Sequence, residues 1–136
     1  MEEWNNGNTQ ADTVELRLPF KAEYVSIARL TVSGIASRVG FDLDTVEDIK
    51  VAVAEVCNKF VNTRSSISDS FSIIFKAYQN KLDIYFDCMD KSLKCIFDDE
   101  TDELSVSIIT ALMDEVEFCT NKNFLLSMSK YTEGNI

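Results

Sequence analysis

The residues with the greatest capacity for chemistry lie along one side of a single stretch, Leu43 to Thr63. Asp48, Glu55, Lys59 and Asn62 are spaced so that an α-helix stacks all four on the same side. A carboxylate and an ammonium four residues apart, in the order Glu55 then Lys59, can form a favourable surface ion pair worth roughly 0.2–0.5 kcal/mol. The side is either a solvated face or the floor of a site. A second concentration of charge, residues 98–103 (DDETDE), reads as a solvated loop or the start of a helix.

Other chemistry is restricted by what the chain lacks. There is no histidine, which removes Ser/His and Cys/His nucleophilic catalysis and the commonest neutral-pH acid–base group. Four cysteines, Cys57, Cys88, Cys95 and Cys119, contain no CxxC pair. A zinc site would need all four thiolates from scattered positions, so no metal is expected and the cysteines read as reduced, mostly buried small hydrophobes. Glycine occurs only at positions 7, 34, 40 and 134, and neither a Walker A nor a GxGxxG pattern is present. Backbone loops that cradle phosphates depend on such glycines.

The elements that must carry these residues follow from periodicity. Residues 1–12 read as a polar tail, 13–131 as one domain and 132–136 as a second tail. Val14, Leu16 and Leu18 alternate with charged residues, which predicts a half-buried strand ended by Pro19. The spacing predicts a helix over 22–39, with Tyr24, Ile27, Leu30, Thr31, Ile35 and Val39 as its buried stripe. Gly34 inside it implies close packing against another element, and Gly40 suits the left-handed position that ends it. The central helix is predicted to bury Leu43, Val46, Ile49, Val53, Val56, Cys57 and Phe60, with Asp42 or Asp44 as its cap. Residues 70–78 and 81–87 form a hairpin through Gln79 and Asn80. Residues 92–97 are a short strand or an irregular segment, 104–116 a helix, and 115–119 with 123–130 a last hairpin around residues 120–122. The order of elements predicts helices packed on a mainly antiparallel sheet.

The bulk numbers limit the partners. The 136 residues carry a formal charge of −10, which argues against naked nucleic acid. The N-terminal residues do not resemble a signal peptide, and no apolar run reaches the roughly 18 residues of a membrane span, so a cytoplasmic, membrane-free protein is expected.

Residues 23–57, EYVSIARLTVSGIASRVGFDLDTVEDIKVAVAEVC, resemble the anti-sigma-factor serine kinases of Gram-positive bacteria, members of the GHKL superfamily of histidine-kinase-like ATPases. Residues 111–118, ALMDEVEF, are similar to the last helix and following strand of that family. The resemblance implies an α+β two-layer sandwich of the Bergerat type, with a mixed, mainly antiparallel sheet. It also implies a homodimer and a partner switch that binds a sigma factor and phosphorylates a STAS-type antagonist with Mg-ATP.

Carried over residue by residue, the family's nucleotide site is degenerate here. In the family's ExxxN motif the glutamate position is Glu55, which is retained, while the Mg²⁺-holding asparagine position is Lys59. A charged lysine has donors but no lone pair, so it cannot ligate Mg²⁺. Asn58 is adjacent, but a one-residue shift turns it roughly 100° around the helix. In the DxGxG motif Cys88 stands at the adenine-reading aspartate and Asp90 at the first glycine. Sliding by one restores Asp87 but not the glycines. Asp102, Glu103, Leu104 and Ser105 match the glycine-rich run before the last helix and place carboxylates where a triphosphate would sit. The segment before it is short for an ATP lid. Arg29, in the context IARLTV, corresponds to an arginine on the family's partner-docking side. The resemblance therefore implies a regulator that binds a sigma factor or STAS-type antagonist without a cofactor. A surviving Mg-ATP-dependent serine kinase with Glu55 as its base, and a dimeric regulator or binder of another ligand in the degenerate pocket, are the alternatives.

Overall fold

A computed structural model describes residues 10–98 and 100–132. The expected tails therefore fall largely outside the described residues. Strand β1 (Asp12–Pro19) leads through one 3₁₀ turn (Ala22–Tyr24) into helix α1 (Val25–Val39) and helix α2 (Leu43–Thr63). Strands β2 (Ser70–Ala77) and β3 (Lys81–Asp87) follow, then two 3₁₀ turns (Lys91–Leu93 and Glu100–Asp102). Helix α3 (Glu103–Leu112), strand β4 (Glu115–Glu117) and strand β5 (Leu126–Tyr131) complete the domain.

The five strands form one sheet in the order β1-β2-β3-β5-β4, with every pairing antiparallel. Leu18 lies opposite Phe71, Ile73 opposite Phe86, and Ile84 opposite Met128. Because strand side chains alternate between faces, this register turns Phe71, Ile73, Phe75, Leu82, Ile84, Phe86 and Met128 into a single core shared with the helices. The result is the expected α+β sandwich.

Local rules account for the ends of the helices. The Asp42 carboxylate accepts a 2.8 Å hydrogen bond from the Thr45 N–H and caps α2. Gly40 has φ 109°, a left-handed turn that ends α1 without steric cost. On α2 the expected buried stripe holds from Val46 to Phe60, with Ala52 and Val61 added, but Leu43 is exposed at the first turn. Phe60 stacks on Phe71 at 5.1 Å between ring centroids and on Phe86 at 6.0 Å, which fixes the rotation of α2 over the sheet.

Helix α1 departs from expectation. Its buried residues are Val25, Ala28, Val32 and Ala36, whereas Tyr24, Ile27 and Leu30 are exposed, Leu30 by 70%. The small stripe wins because it lets α1 lie close against α2, whose facing surface is already filled by branched and aromatic side chains. Gly34 is exposed, and a Cβ added there would meet nothing within 4 Å, so its expected packing role is also corrected. The open reading of residues 92–97 resolves to turn structure, because the 3₁₀ turn Lys91–Leu93 is capped by Asp90.

Candidate functional site

Of the polar residues of α2, Lys59 reaches the N-terminus of α3. Phe60 is locked into the sheet, so Lys59, one residue before it, is held about 100° around the helix axis, half-buried between α2 and α3. Its Nζ lies 3.0 Å from Asp102 Oδ1. The lysine side chain is 23% exposed and that of Asp102 10%. Asp102 occupies the residue immediately before α3, where the helix dipole favours a carboxylate. Its second oxygen, Oδ2, is buried with no hydrogen-bond partner. Burying a carboxylate is costly, and the lysine and the dipole together offset that cost at one oxygen only.

The expected Glu55–Lys59 pair is corrected by this geometry: the lysine reaches across to α3 instead of back along α2. Glu55 is half-buried and no described residue pairs with it. Within the acidic run, Asp98, Glu100 and Glu103 are exposed as expected, but Asp102 turns inward. Ser105 is half-buried on the first turn of α3. Asp48 is half-buried and Asn62 exposed, so the four polar residues of α2 do not converge on one point.

The positions that follow β3 are structural in their contacts. Cys88 is buried, and its thiol donates a 3.5 Å hydrogen bond to the Ser70 carbonyl at the start of β2. Asp90 is buried and accepts hydrogen bonds from the Ser65 hydroxyl, the Ser92 hydroxyl and the Ser92 N–H. These donors, Ser65 foremost and then Ser92, hold the Asp90 carboxyl below its ordinary pKa. Asp90 thus ties the loop after α2 to the end of β3, across the ground that a glycine would leave open.

The four cysteines do not gather. Cys57 and Cys88 are free and buried, and burial pushes the Cys57 thiol up to about 12. Cys95 and Cys119 are joined as a disulfide, which corrects the reading of four reduced thiols. The spacing of the cysteines gave no hint of this pair. Arg29 is exposed on α1 and pairs with no described residue. Among the described residues no helix is long and apolar enough to cross a membrane.

No family model matches the chain. The chain is similar to proteins named Serine-protein kinase RsbW. It is 34% identical to the one from Halalkalibacterium halodurans, with 91% of this chain and 86% of that protein covered. It is 33% identical to the one from Bacillus subtilis, with 91% and 88% covered. Against the one from Bacillus velezensis identity is 32%, with 93% and 90% covered.

Proposed function

The chain belongs to the serine-protein kinase RsbW family, and from that premise we propose that it regulates transcription by docking protein partners without using nucleotide. The partners are a sigma factor, a STAS-type antagonist or both, and the working form is a homodimer.

The observation that carries this reading is the ion pair between Lys59 and Asp102. A Mg-ATP site of this family needs a lone pair at the position of Lys59 to hold the metal. It also needs free backbone N–H groups at the start of the last helix to receive phosphate. Here an ammonium stands at the first place and a buried carboxylate at the second. The two charges neutralise each other, and a carboxylate buried beside the start of α3 opposes a triphosphate there by like charge. Cys88 and Asp90 are likewise committed to the protein's own backbone and hydroxyls. Without metal and triphosphate, Glu55 has no phosphoryl transfer to assist.

Docking is supported by the outer side of α1. Arg29 is uncompensated there, and Ile27 and Leu30 on the same helix are exposed. An exposed cation beside exposed apolar side chains is the kind of group that protein interfaces bury as an anchor.

One feature favours a surviving kinase: Glu55 is retained, half-buried and unpaired among the described residues. Calorimetric titration with Mg-ATP and Mg-ADP separates the two readings. Docking without nucleotide predicts no saturable heat at millimolar nucleotide, and a saturable isotherm overturns it.

A further inference from the structure

We propose that Cys95 and Cys119 form a redox-controlled clasp over the segment that joins β3 to α3. It goes beyond the function proposed above and does not depend on it. The clasp itself stands on geometry.

The two cysteines are separated by 24 residues, yet their Cα atoms are 4.5 Å apart and their sulfurs are bonded. That separation lies within the range that a disulfide bridges without moving the backbone. Both cysteines sit in turns outside the helices and strands. Leu93 and Phe97 anchor the segment in the core, and a few surface contacts hold it to the loop that carries Cys119. The Lys94 ammonium donates a 3.1 Å hydrogen bond to the Lys122 carbonyl, and Lys91 a 3.2 Å bond to the Asn123 carbonyl. The Phe97 ring meets Phe118 edge-on at 5.5 Å. Both lysines are surface groups, so the disulfide is the strongest link in the set.

The Asp98 carboxylate lies within 4.8 Å of both sulfurs. With both sulfurs used, that trio retains one carboxylate and no thiolate for a metal.

The exchange balances with a small disulfide, such as oxidised glutathione, as oxidant. One cysteine thiolate attacks a sulfur of the small disulfide, forms a mixed disulfide and expels one small thiolate. The second cysteine, deprotonated, attacks the protein sulfur of that mixed disulfide and expels the other. Two protein thiols and one small disulfide become one protein disulfide and two small thiols.

The test equilibrates the full chain across a series of glutathione redox buffers. Remaining thiols are blocked by alkylation, linked peptides are identified by mass spectrometry, and amide hydrogen exchange is followed in both end states. A Cys95–Cys119 peptide is expected at the oxidising end only, with Cys57 and Cys88 never linked. Exchange in residues 91–98 is expected to speed up at least roughly fivefold on reduction, and to stay fast in Cys95→Ser under either condition. Free alkylation of both cysteines at the oxidising end overturns the proposal, as does equal exchange in both states. Mg-ATP titration of the reduced chain keeps the two readings apart. Nucleotide binding there sinks docking without nucleotide and leaves the clasp standing.

Discussion

Lys59 Nζ lies 3.0 Å from Asp102 Oδ1, while the other oxygen of the same carboxylate is buried without a partner. This joins the last turns of α2 to the start of α3 through one charged contact. Lys59→Met strands the carboxylate and is expected to destabilise the domain by about 2–4 kcal/mol. The double variant Lys59→Met/Asp102→Leu should recover most of that loss, because no charge is left buried. Urea unfolding of wild type, both single variants and the double variant measures the coupling. A loss in the double variant equal to the sum of the two single losses would show that the two residues act independently.

Lys59→Asn restores the side chain the family uses for Mg²⁺. Nucleotide binding is not expected to return, since Asp102 stays buried at the start of α3 and Asp90 stays tied to Ser65 and Ser92. Calorimetry with Mg-ATP checks this directly. Binding regained by the single change would assign the whole loss of the site to Lys59.

Arg29→Glu is expected to weaken capture of a sigma factor or STAS-type antagonist by at least about tenfold, roughly 1.4 kcal/mol. Stability should change by less than about 0.5 kcal/mol, because the residue is exposed and unpaired among the described residues. Surface plasmon resonance beside thermal unfolding makes the comparison. Unchanged affinity would remove Arg29 from the interface.

Gly34→Ala should stabilise the chain by about 1 kcal/mol, the ordinary gain of alanine over glycine inside a helix. The added Cβ meets nothing within 4 Å. Denaturant unfolding gives the sign. A loss, growing with protein concentration, would indicate that a second copy packs against this side of α1.

Acid stability should depend on Asp90. Its folded pKa is lowered by hydrogen bonds from Ser65 and then Ser92, so the unfolded chain takes up the proton first as pH falls. The contribution is present above the ordinary carboxylate value, about 4, and is lost as pH drops through the lower folded value. Asp42 acts in the same direction through its bond from Thr45. Cys57 acts at the other end: its folded pKa of about 12 exceeds its ordinary 9.0, so stability falls as pH rises from the ordinary value toward the folded one. Unfolding midpoints across pH should therefore decline at both extremes, and Asp90→Asn should flatten the acid side.

Much of the chain was legible because its rules are local. Asp42 caps α2 through Thr45, three residues away, and Gly40 stops α1 by its own φ. The alternation in β2 and β3, with a short turn between them, set both the hairpin and the face that enters the core. Of the candidate site, the positions Glu55, Lys59, Cys88, Asp90 and Asp102 were reached through family motifs, but not what they touch.

Sequence by itself determined the order of elements, the sandwich class and the identity of the side chains at the candidate site. Those follow from periodicity, capping and motif spacing, which act over a few residues. Only the tertiary structure decided which stripe of α1 is buried, that Lys59 pairs with Asp102 and not Glu55, and that Cys95 meets Cys119. Helix α1 carries two stripes of apolar residues, and only the space left by α2 selects the smaller one. Lys59 could satisfy its charge along its own helix. The rotation imposed by Phe60 on the sheet, and the buried carboxylate at the start of α3, sent it across the fold instead.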